Sequence, residues 1–245
     1  MKKLLLILCC ATLLQAKKED KITLPKPTPE ETIQHYCMPG DGIIDIVLFA
    51  PDEGRIYKNI LRGLIQATAA EGSIKVAAFR FTEKEIAADL IAAHNRGVSV
   101  EIVFDPGAVT STFYSMAFTL SDAGIAVYQY QPVGLTPVSA RNGEEEGVVQ
   151  RIAYPTIMHQ KTMIFFNTLG GKNIVAYGSF NFTTAACYGN EEAVQVRNKP
   201  EVVNAFAAHF EKLKKRSYLI TPYRLSQAVS RNLKQIALRV VHYIR

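Results

Sequence analysis

Blocks of apolar residues predict alternating strands and helices through the first half of the chain. The predicted strands cover residues 43–50, 74–81, 98–104 and 125–130. Apolar residues recur at helical spacing after the first two strands, in Ile56, Ile60, Leu61, Leu64 and Ile65 and then in Ile86, Leu90 and Ile91. Thr82 and Glu85 have the spacing of a capping box for the second helix, which Gly97 ends. A third helix is expected around 112–123.

The second half of the chain is patterned differently. Residues 131–150 are rich in Gly, Pro, Asn and Glu, which predicts a long loop, either functional or a solvated excursion. After the loop, the predicted strands cover 157–166, 173–179 and 192–197, and a helix covers 201–214. Residues 167–172 form the turn between the first two of these strands.

Strands that alternate with helices are typical of an α/β protein. We expect a mixed, mostly parallel β-sheet flanked by helices on both faces, in one domain over residues 40–215. The chain has 245 residues, of which 48% are apolar, so it can form a sizeable core. The stretch 17–39 is charged and contains Pro25, Pro27 and Pro29, and it is predicted to be a linker.

The first 16 residues have the pattern of a signal peptide. Lys2 and Lys3 precede an apolar run over residues 4–14, and Ala16 stands before a charged stretch. The run is short for a bilayer span, so we expect cleavage and export to the periplasm or the medium, with an uncleaved membrane anchor as the alternative. In an oxidising compartment, Cys37 and Cys187 either pair or remain buried thiols.

The charge balance of the chain is basic. The formal net charge is +6, which favours anionic partners such as nucleic acid or anionic lipid. No acidic residue follows Glu211, and residues 216–245 combine Lys and Arg with an apolar stripe at helical spacing. We predict a basic amphipathic extension there, which either contacts a membrane surface or nucleic acid or packs on its own domain.

Two short segments carry the residue types that phosphodiester cleavage needs. His159 and Lys161 lie two apart on a predicted strand, so an imidazole and an ammonium project to one side. Ser179 and Asn181, also two apart, add a hydroxyl and an amide. The four residues predict a phosphate site that contains a nucleophile and needs no metal or cofactor, because Lys and Asn supply the electrostatic stabilisation. The sequence has no GxSxG, HExxH or P-loop pattern.

These segments resemble the HxK…GSxN signature of the phospholipase D superfamily. The matching residues are His159-Gln160-Lys161, Gly178-Ser179-Phe180-Asn181-Phe182-Thr183 and, downstream, Asn190-Glu191-Glu192. The likeness is closest to the short, single-motif, nuclease-like branch, and the order of strands and helices fits it over about residues 40–215. HxK alone arises often by chance, whereas GSxNxT followed by N-x-E is a specific joint signal.

The resemblance implies a phospholipase D-like fold and a set of roles. In the family, one motif histidine attacks phosphorus and forms a phosphohistidine, and a second histidine protonates the leaving group. The implied catalytic residues are His159, Lys161, Asn181 and Glu192, with Lys161, Ser179 and Asn181 binding the phosphate and Glu192 orienting a histidine. The chain contains one HxK…GSxN motif. The nearest approach to a second HxK is His94-Asn95-Arg96, and no GSxN sequence follows it. We therefore expect a homodimer in which two copies of His159 complete one site.

The chain departs from the family motif at one position, where Phe166 replaces the Asp that follows HxK after four residues. Three functions stay open. The first is an exported endonuclease acting on DNA or RNA, favoured by the basic charge and the single motif. The second is a phospholipase D that releases phospholipid head groups, favoured by the apolar and basic extension. The third is a degenerate protein that binds anions or membranes without catalysis, which Phe166 would fit.

Overall fold

The computed structural model describes residues 26–38, 40, 42–110, 115–132 and 156–220, which form one eight-stranded sheet with helices on both faces. The strands are β1 Asp45–Ala50, β2 Thr68–Ala78, β3 Ser99–Phe104, β4 Ala126–Tyr130, β5 Lys161–Thr168, β6 Lys172–Gly178, β7 Glu192–Arg197 and β8 Ser217–Leu219. The helices are α1 Pro29–Tyr36, α2 Gly54–Gln66, α3 Lys84–Asn95, α4 Pro106–Thr110, α5 Ala117–Asp122, α6 Thr184–Tyr188 and α7 Pro200–Lys215.

The strands are ordered β1-β7-β6-β5-β2-β3-β4-β8 across the sheet. β2, β3 and β4 run parallel, because helices connect them, and the other described pairings are antiparallel. The mixed α/β sheet is confirmed, but the expectation of a mostly parallel sheet is wrong. The turn at residues 169–171 shows why, since a parallel crossover from β5 to β6 would need about a dozen residues or more.

Two apolar cores lie on opposite faces of the sheet. The larger one contains the predicted stripe of α2, and Ile60, Leu61, Leu64 and Ile65 are all fully buried. Burial of each such side chain contributes about 1.5–3 kcal/mol to folding. On the other face, α7 packs Val203 and Phe210 against a smaller core. The sheet is therefore fixed from both sides, which holds its strand ends in place.

The predicted linker over 17–39 is wrong for the part that the structure describes. Thr28 accepts a hydrogen bond from the N–H of Glu31 at 3.2 Å, and the Glu31 carboxylate accepts from the N–H of Thr28 at 2.7 Å. This capping box starts α1, and Pro29 fits the first helical position, where no N–H is required. Ile33 and Cys37 are buried, so α1 belongs to the domain.

Three further boundaries differ from the predictions. β5 begins at Lys161 rather than 157, so His159 precedes the regular strand. The capping box at Thr82 is absent, because α3 begins at Lys84 and the N–H groups of Thr82 and Glu83 donate to the carbonyl of Phe182 instead. β8 pairs with β4, so the folded domain extends beyond residue 215.

Several predicted segments lie outside the described residues. They are the signal peptide over 1–16, residues 17–25 of the linker, most of the loop 131–150, residues 112–114 of a predicted helix and the extension from residue 221 onward. None of the described helices is both long enough and apolar enough to cross a membrane. Cys37 and Cys187 are buried free thiols, and burial raises the pKa of Cys37 to about 12.

Candidate active site

The imidazole of His159 and the ammonium of Lys161 meet at the start of β5. The Nζ atom of Lys161 lies 2.9 Å from Nδ1 and 3.1 Å from Nε2 of His159, and it donates a hydrogen bond to the His159 carbonyl at 2.8 Å. A protonated lysine can only donate, so the ring nitrogen that it contacts must carry a free lone pair. A ring nitrogen that accepts this hydrogen bond is unprotonated, and an unprotonated ring nitrogen is what a nucleophilic attack requires.

In the segment 178–183, aromatic residues alternate with polar ones, and burial of the aromatic rings determines where the polar side chains point. Phe180 and Phe182 are buried in the larger core, and Phe180 stacks edge-on against Tyr57 with ring centroids 5.0 Å apart. Because these two rings point into the core, Ser179 before Phe180 and Asn181 between the two rings are turned the other way. Thr183 then caps α6 by accepting from the N–H of Ala186 at 3.3 Å. Ser179 and Asn181 follow β6 and do not extend it, which differs from the predicted strand 173–179.

Ser179 is tied to β7 beside Glu192. Its hydroxyl accepts from the N–H of Ala193 at 3.1 Å, and its own N–H donates to the Ala193 carbonyl at 3.0 Å. Glu192 opens β7 and accepts a hydrogen bond from the Asn190 amide at 3.1 Å. The N-x-E pattern of the sequence therefore has a structural reason, since Asn190 orients the carboxylate that follows the loop.

Asn181 has an unsatisfied amide. Within the part of the chain that the structure describes, its Oδ1 is the one buried side-chain N or O atom that has no hydrogen-bond partner. Such a group costs about 1–3 kcal/mol, so its retention points to a ligand that completes it. A 180° rotation of the amide exchanges oxygen and NH₂, so a bound phosphate can accept a hydrogen bond from the same position.

Burial controls the electrostatics of Lys161. The residue is only 4% exposed, and this desolvation lowers the pKa of its ammonium below the usual value, while the Glu192 carboxylate opposes the shift. A poorly hydrated ammonium gains more from an arriving phosphate than an exposed one does. The structure therefore brings His159, Lys161 and the charge of Glu192 into one site.

We expect Glu192→Gln to move the alkaline limb of the activity profile to lower pH. Removal of the carboxylate leaves burial unopposed, so the pKa of Lys161 falls further and the ammonium is lost earlier as pH rises. The measurement is kcat/KM against pH, which reports groups of the free enzyme. Glu191→Gln is the matched control, because Glu191 is an exposed neighbour in the sequence. An unmoved limb in the Glu192 variant, or an equal shift in both variants, would contradict this electrostatic role.

A segment far from both motifs in the sequence joins them in space. This bridging segment, residues 79–83, connects β2 to α3. The N–H of Phe79 donates to the carbonyl of Gln160 at 2.8 Å, and the N–H of Phe182 donates to the carbonyl of Arg80 at 3.1 Å. Glu83 accepts from Lys58 at 2.9 Å and from Thr184 at 3.3 Å. The bridging segment therefore fixes the HxK residues relative to the GSxN segment.

The Phe79 ring lies beside both candidate catalytic groups. Its centroid is 4.3 Å from the centroid of the His159 ring, and the Nζ atom of Lys161 lies 4.9 Å from it. The face of an aromatic ring attracts cations, so Phe79 supports the ammonium and limits rotation of the imidazole. The sequence alone does not mark Phe79 as part of the site, because an aromatic residue after a buried strand is not distinctive.

Asp105 is a second residue that the sequence analysis missed. It is 4% exposed and follows β3, and its carboxylate accepts from the N–H of Met158 and from the N–H of Gly107, each at 2.8 Å. The bond to Met158 fixes the backbone immediately before His159. Its position could have been noticed, because polar residues directly after parallel strands often border a functional site.

Phe166 occupies the position of the family Asp and lies away from His159. It is five positions beyond Lys161 on β5, which corresponds to about 17 Å along an extended strand. Its ring is partly buried against the smaller core that α7 covers. The replacement therefore changes packing at the distant end of the strand and leaves the contacts of His159, Lys161 and Glu192 in place.

Gly178→Ala is expected to destabilise the fold by about 2–4 kcal/mol. A Cβ atom at Gly178, whose φ is +152°, would lie 2.2 Å from the carbonyl oxygen of Ala193, so β6 and β7 would have to separate. Gly189→Ala is the control, since its Cβ would meet only ordinary contact at 3.5 Å. The free energy of unfolding in urea measures both. Equal stability of the two variants would show that the close approach is not required.

The comparison with known families identifies the chain. The family profile described as "Cardiolipin synthase, PLD-like domain" matches residues 64–214, which include every residue of the site. The chain belongs to the phospholipase D-like family. Members of this family are phosphodiesterases, and a site that presents an imidazole and an ammonium together agrees with that chemistry.

Individual relatives of this phospholipase D-like chain are distant. Mitochondrial cardiolipin hydrolase of Danio rerio is 28% identical over 187 residues, which cover 76% of this chain and 69% of that protein. Among solved structures, the phospholipase D family member Nuc from Salmonella typhimurium matches with a TM-score of 0.54 at 25% identity, over 73% of this chain and 98% of that one. NucT from Helicobacter pylori has a TM-score of 0.58 at 23% identity, over 73% and 99% of the two chains.

Proposed function

We propose that the protein is a metal-independent phosphodiesterase that hydrolyses nucleic acid through a phosphohistidine intermediate on His159. The observation that carries the proposal is the contact between the His159 imidazole and the buried Lys161 ammonium. The imidazole supplies the nucleophile, and the ammonium neutralises the phosphate that it attacks. The Asn181 amide donates to a second phosphate oxygen, and Ser179 borders the same site.

The reaction proceeds in two displacements. A lone pair of His159 attacks phosphorus, and the bond from phosphorus to the leaving oxygen breaks as that oxygen takes a proton from the partner subunit's His159. Water then attacks the phosphohistidine, passes its proton back to the partner subunit's His159, and releases the phosphate ester and the free imidazole. The two histidines thus begin in opposite protonation states, so a bell-shaped pH profile is expected.

The second histidine is the reason to propose a homodimer. One chain supplies one motif, and a two-fold axis would bring two copies of His159 to a single phosphorus. Glu192 would orient one of these imidazoles through its negative charge. Sedimentation tests the association directly, because an active monomer would contradict a shared site.

Subunit mixing gives a sharper test of the shared site. When wild-type and His159→Ala chains are mixed in equal amounts and allowed to exchange, about a quarter of the dimers contain two wild-type chains. If both histidines are needed, activity falls to about that quarter, whereas independent sites keep about half. Wild-type chains mixed with His209→Ala chains serve as the control, since His209 is exposed on α7. Retention of half the activity in the first mixture would sink the shared site.

Nucleic acid is the first choice of substrate because of the basic charge and the single-motif build. A substrate that carries one negative charge per nucleotide is attracted by the basic balance of the chain, which is +6 over all residues and +4 without Lys2 and Lys3 of the predicted signal peptide, and such attraction weakens steeply with salt. The second candidate is a phospholipid of the cardiolipin class. It is favoured by the curated relatives, which are named mitochondrial cardiolipin hydrolase, and by the basic extension over 216–245.

A substrate panel tests the proposed function. The purified protein is offered plasmid DNA, RNA and vesicles of cardiolipin or phosphatidylcholine, with a chelator present. Cleavage of DNA or RNA supports the first choice, and cleavage of lipid alone supports the second. Absence of all cleavage would favour the third possibility, a degenerate protein that binds anions or membranes. A strict metal requirement would refute the mechanism.

Export is part of the proposal. The N-terminal pattern over residues 1–16 supports delivery to the periplasm or the medium, and the extension over 216–245 supports contact with a membrane surface. Deletion of residues 221–245 tests that contact, because unchanged binding to anionic vesicles would leave the extension with a packing role alone.

A further inference from the structure

Arg80 lies where the two halves of the site meet. Its backbone carbonyl accepts the N–H of Phe182, while the preceding residue, Phe79, is joined to Gln160. Its neighbours Phe79 and Phe81 are partly and fully buried, respectively, but Arg80 itself is exposed. The Arg80 side chain is therefore exposed to solvent where the HxK residues and the GSxN segment meet.

The Arg80 guanidinium and the candidate nucleophile contact the same aromatic ring. The Cζ atom of Arg80 is 5.2 Å from the Phe79 centroid, and the same ring contacts His159 at 4.3 Å. Stacking on an aromatic face restricts the guanidinium, so less freedom is lost when it binds an anion. The site thus has a buried cation, Lys161, next to the imidazole and an exposed cation, Arg80, that contacts the same ring.

We propose that Arg80 binds the phosphate that neighbours the scissile one, so that the protein prefers a strand with two or more phosphodiesters. The inference rests on the proposed function, in which Lys161 and Asn181 hold the scissile phosphate. A nucleic-acid strand carries one phosphate at every nucleotide, so a phosphate that neighbours the scissile one lies at the rim of the site, where the Arg80 guanidinium contacts Phe79.

The chemistry of arginine fits a flanking phosphate. A guanidinium stays charged and donates in a planar fork that matches two phosphate oxygens. Unlike Lys161, it is exposed to solvent, at the rim of the site over which a long substrate would lie. Positive charge at this distance adds nothing to the attack on phosphorus, but it selects substrates that carry a second negative charge there.

The first test compares two substrates of the same base composition, a dinucleotide with one phosphodiester and an octanucleotide with seven. In Arg80→Gln, kcat/KM for the octanucleotide is expected to fall by about 10-fold or more, because a hydrogen-bonded charge contributes about 1.5–3 kcal/mol. The value for the dinucleotide should stay within about two-fold of wild type, and Arg80→Lys should lie between. Equal losses on both substrates, or no loss on either, would overturn the proposal.

The control variant is Lys199→Gln, which removes the same charge elsewhere. Lys199 follows β7 at the end opposite Glu192, and its side chain is 66% exposed. It should leave both substrates unaffected. Since Arg80 and Lys199 are both exposed, neither variant is expected to alter folding, and unfolding midpoints in urea verify this.

A binding measurement separates this inference from the proposed function. In the His159→Ala background, fluorescence anisotropy of the labelled octanucleotide gives the slope of log K against log salt. Arg80→Gln is expected to reduce that slope by about 0.7, the value for one phosphate contact on a single strand, and Lys199→Gln by much less.

If the wild type cleaves neither oligonucleotide but the slope falls in Arg80→Gln, the proposed function fails and the binding role of Arg80 stands. If the wild type cleaves both but the slope and the substrate ratio do not change, the Arg80 proposal fails. The proposal is also overturned if Arg80→Gln weakens binding to cardiolipin vesicles while binding to the oligonucleotide is unchanged.

Discussion

Replacement of His159 by alanine is expected to lower kcat for phosphodiester cleavage by about 10⁴-fold or more, in the range seen when a nucleophile is removed from a covalent mechanism. The imidazole is held by Phe79 and Lys161, and its replacement by a methyl group removes the proposed nucleophile. The variant should fold normally, since His159 is exposed and its ring is not part of either core.

The His159 prediction is measured with an activated diester and with DNA. His209→Ala is the matched control, because it removes an exposed imidazole on the other face of the sheet and should change kcat by less than about two-fold. A phosphorylated protein trapped at acid pH from wild type, and absent from His159→Ala, would identify the intermediate. Residual activity above about a tenth of wild type would rule out His159 as the nucleophile.

The second large effect is expected from Lys161→Met, with activity and stability moving in opposite directions. Loss of the ammonium should lower kcat by about 10²–10³-fold, the usual effect of removing one preorganised charge donor. The same change replaces a poorly hydrated cation by an apolar side chain of similar length. The free energy of unfolding is therefore expected to rise by about 1 kcal/mol.

Lys75→Met provides the contrast. Lys75 lies on β2, forms ion pairs with Glu101 and Glu211, and faces away from His159 toward α7. Its replacement should lower stability slightly and leave kcat unchanged. If Lys161→Met instead destabilises the protein as Lys75→Met does, the Lys161 ammonium stabilises the fold. Its burial then gives no support for a phosphate-binding role.

Much of the candidate site could be predicted from the sequence, because it depends on short local patterns. His159 and Lys161 are two residues apart, and that spacing brings them together even though the regular strand begins only at Lys161. Phe180 and Phe182 alternate with Ser179 and Asn181, so burial of the rings determines where the polar groups point. Local alternation is the information that a sequence carries most directly.

Other parts depend on contacts between distant positions and could not be predicted in the same way. Phe79 and Asp105 reach the site only because β2 and β3 end beside β5 in the folded sheet. The prediction of a mostly parallel sheet is wrong because the second half of the chain lacks the long crossovers that parallel strands need, as the short turn between β5 and β6 shows. The linker prediction is wrong for the described part because charge and proline also suit a helix start, where Thr28 forms a capping box and Pro29 takes the first helical position.

The bridging segment has a consequence for the order in which the protein assembles. An excised peptide over residues 156–183 would contain His159, Lys161, Ser179 and Asn181, yet it would lack the hydrogen bonds from Phe79 and to Arg80 that position them. Those bonds span about 80 to 100 positions in the sequence, and contacts of such separation form slowly because a large loop must close first. A nascent or partly folded chain can therefore hold all of its catalytic side chains and still be inert.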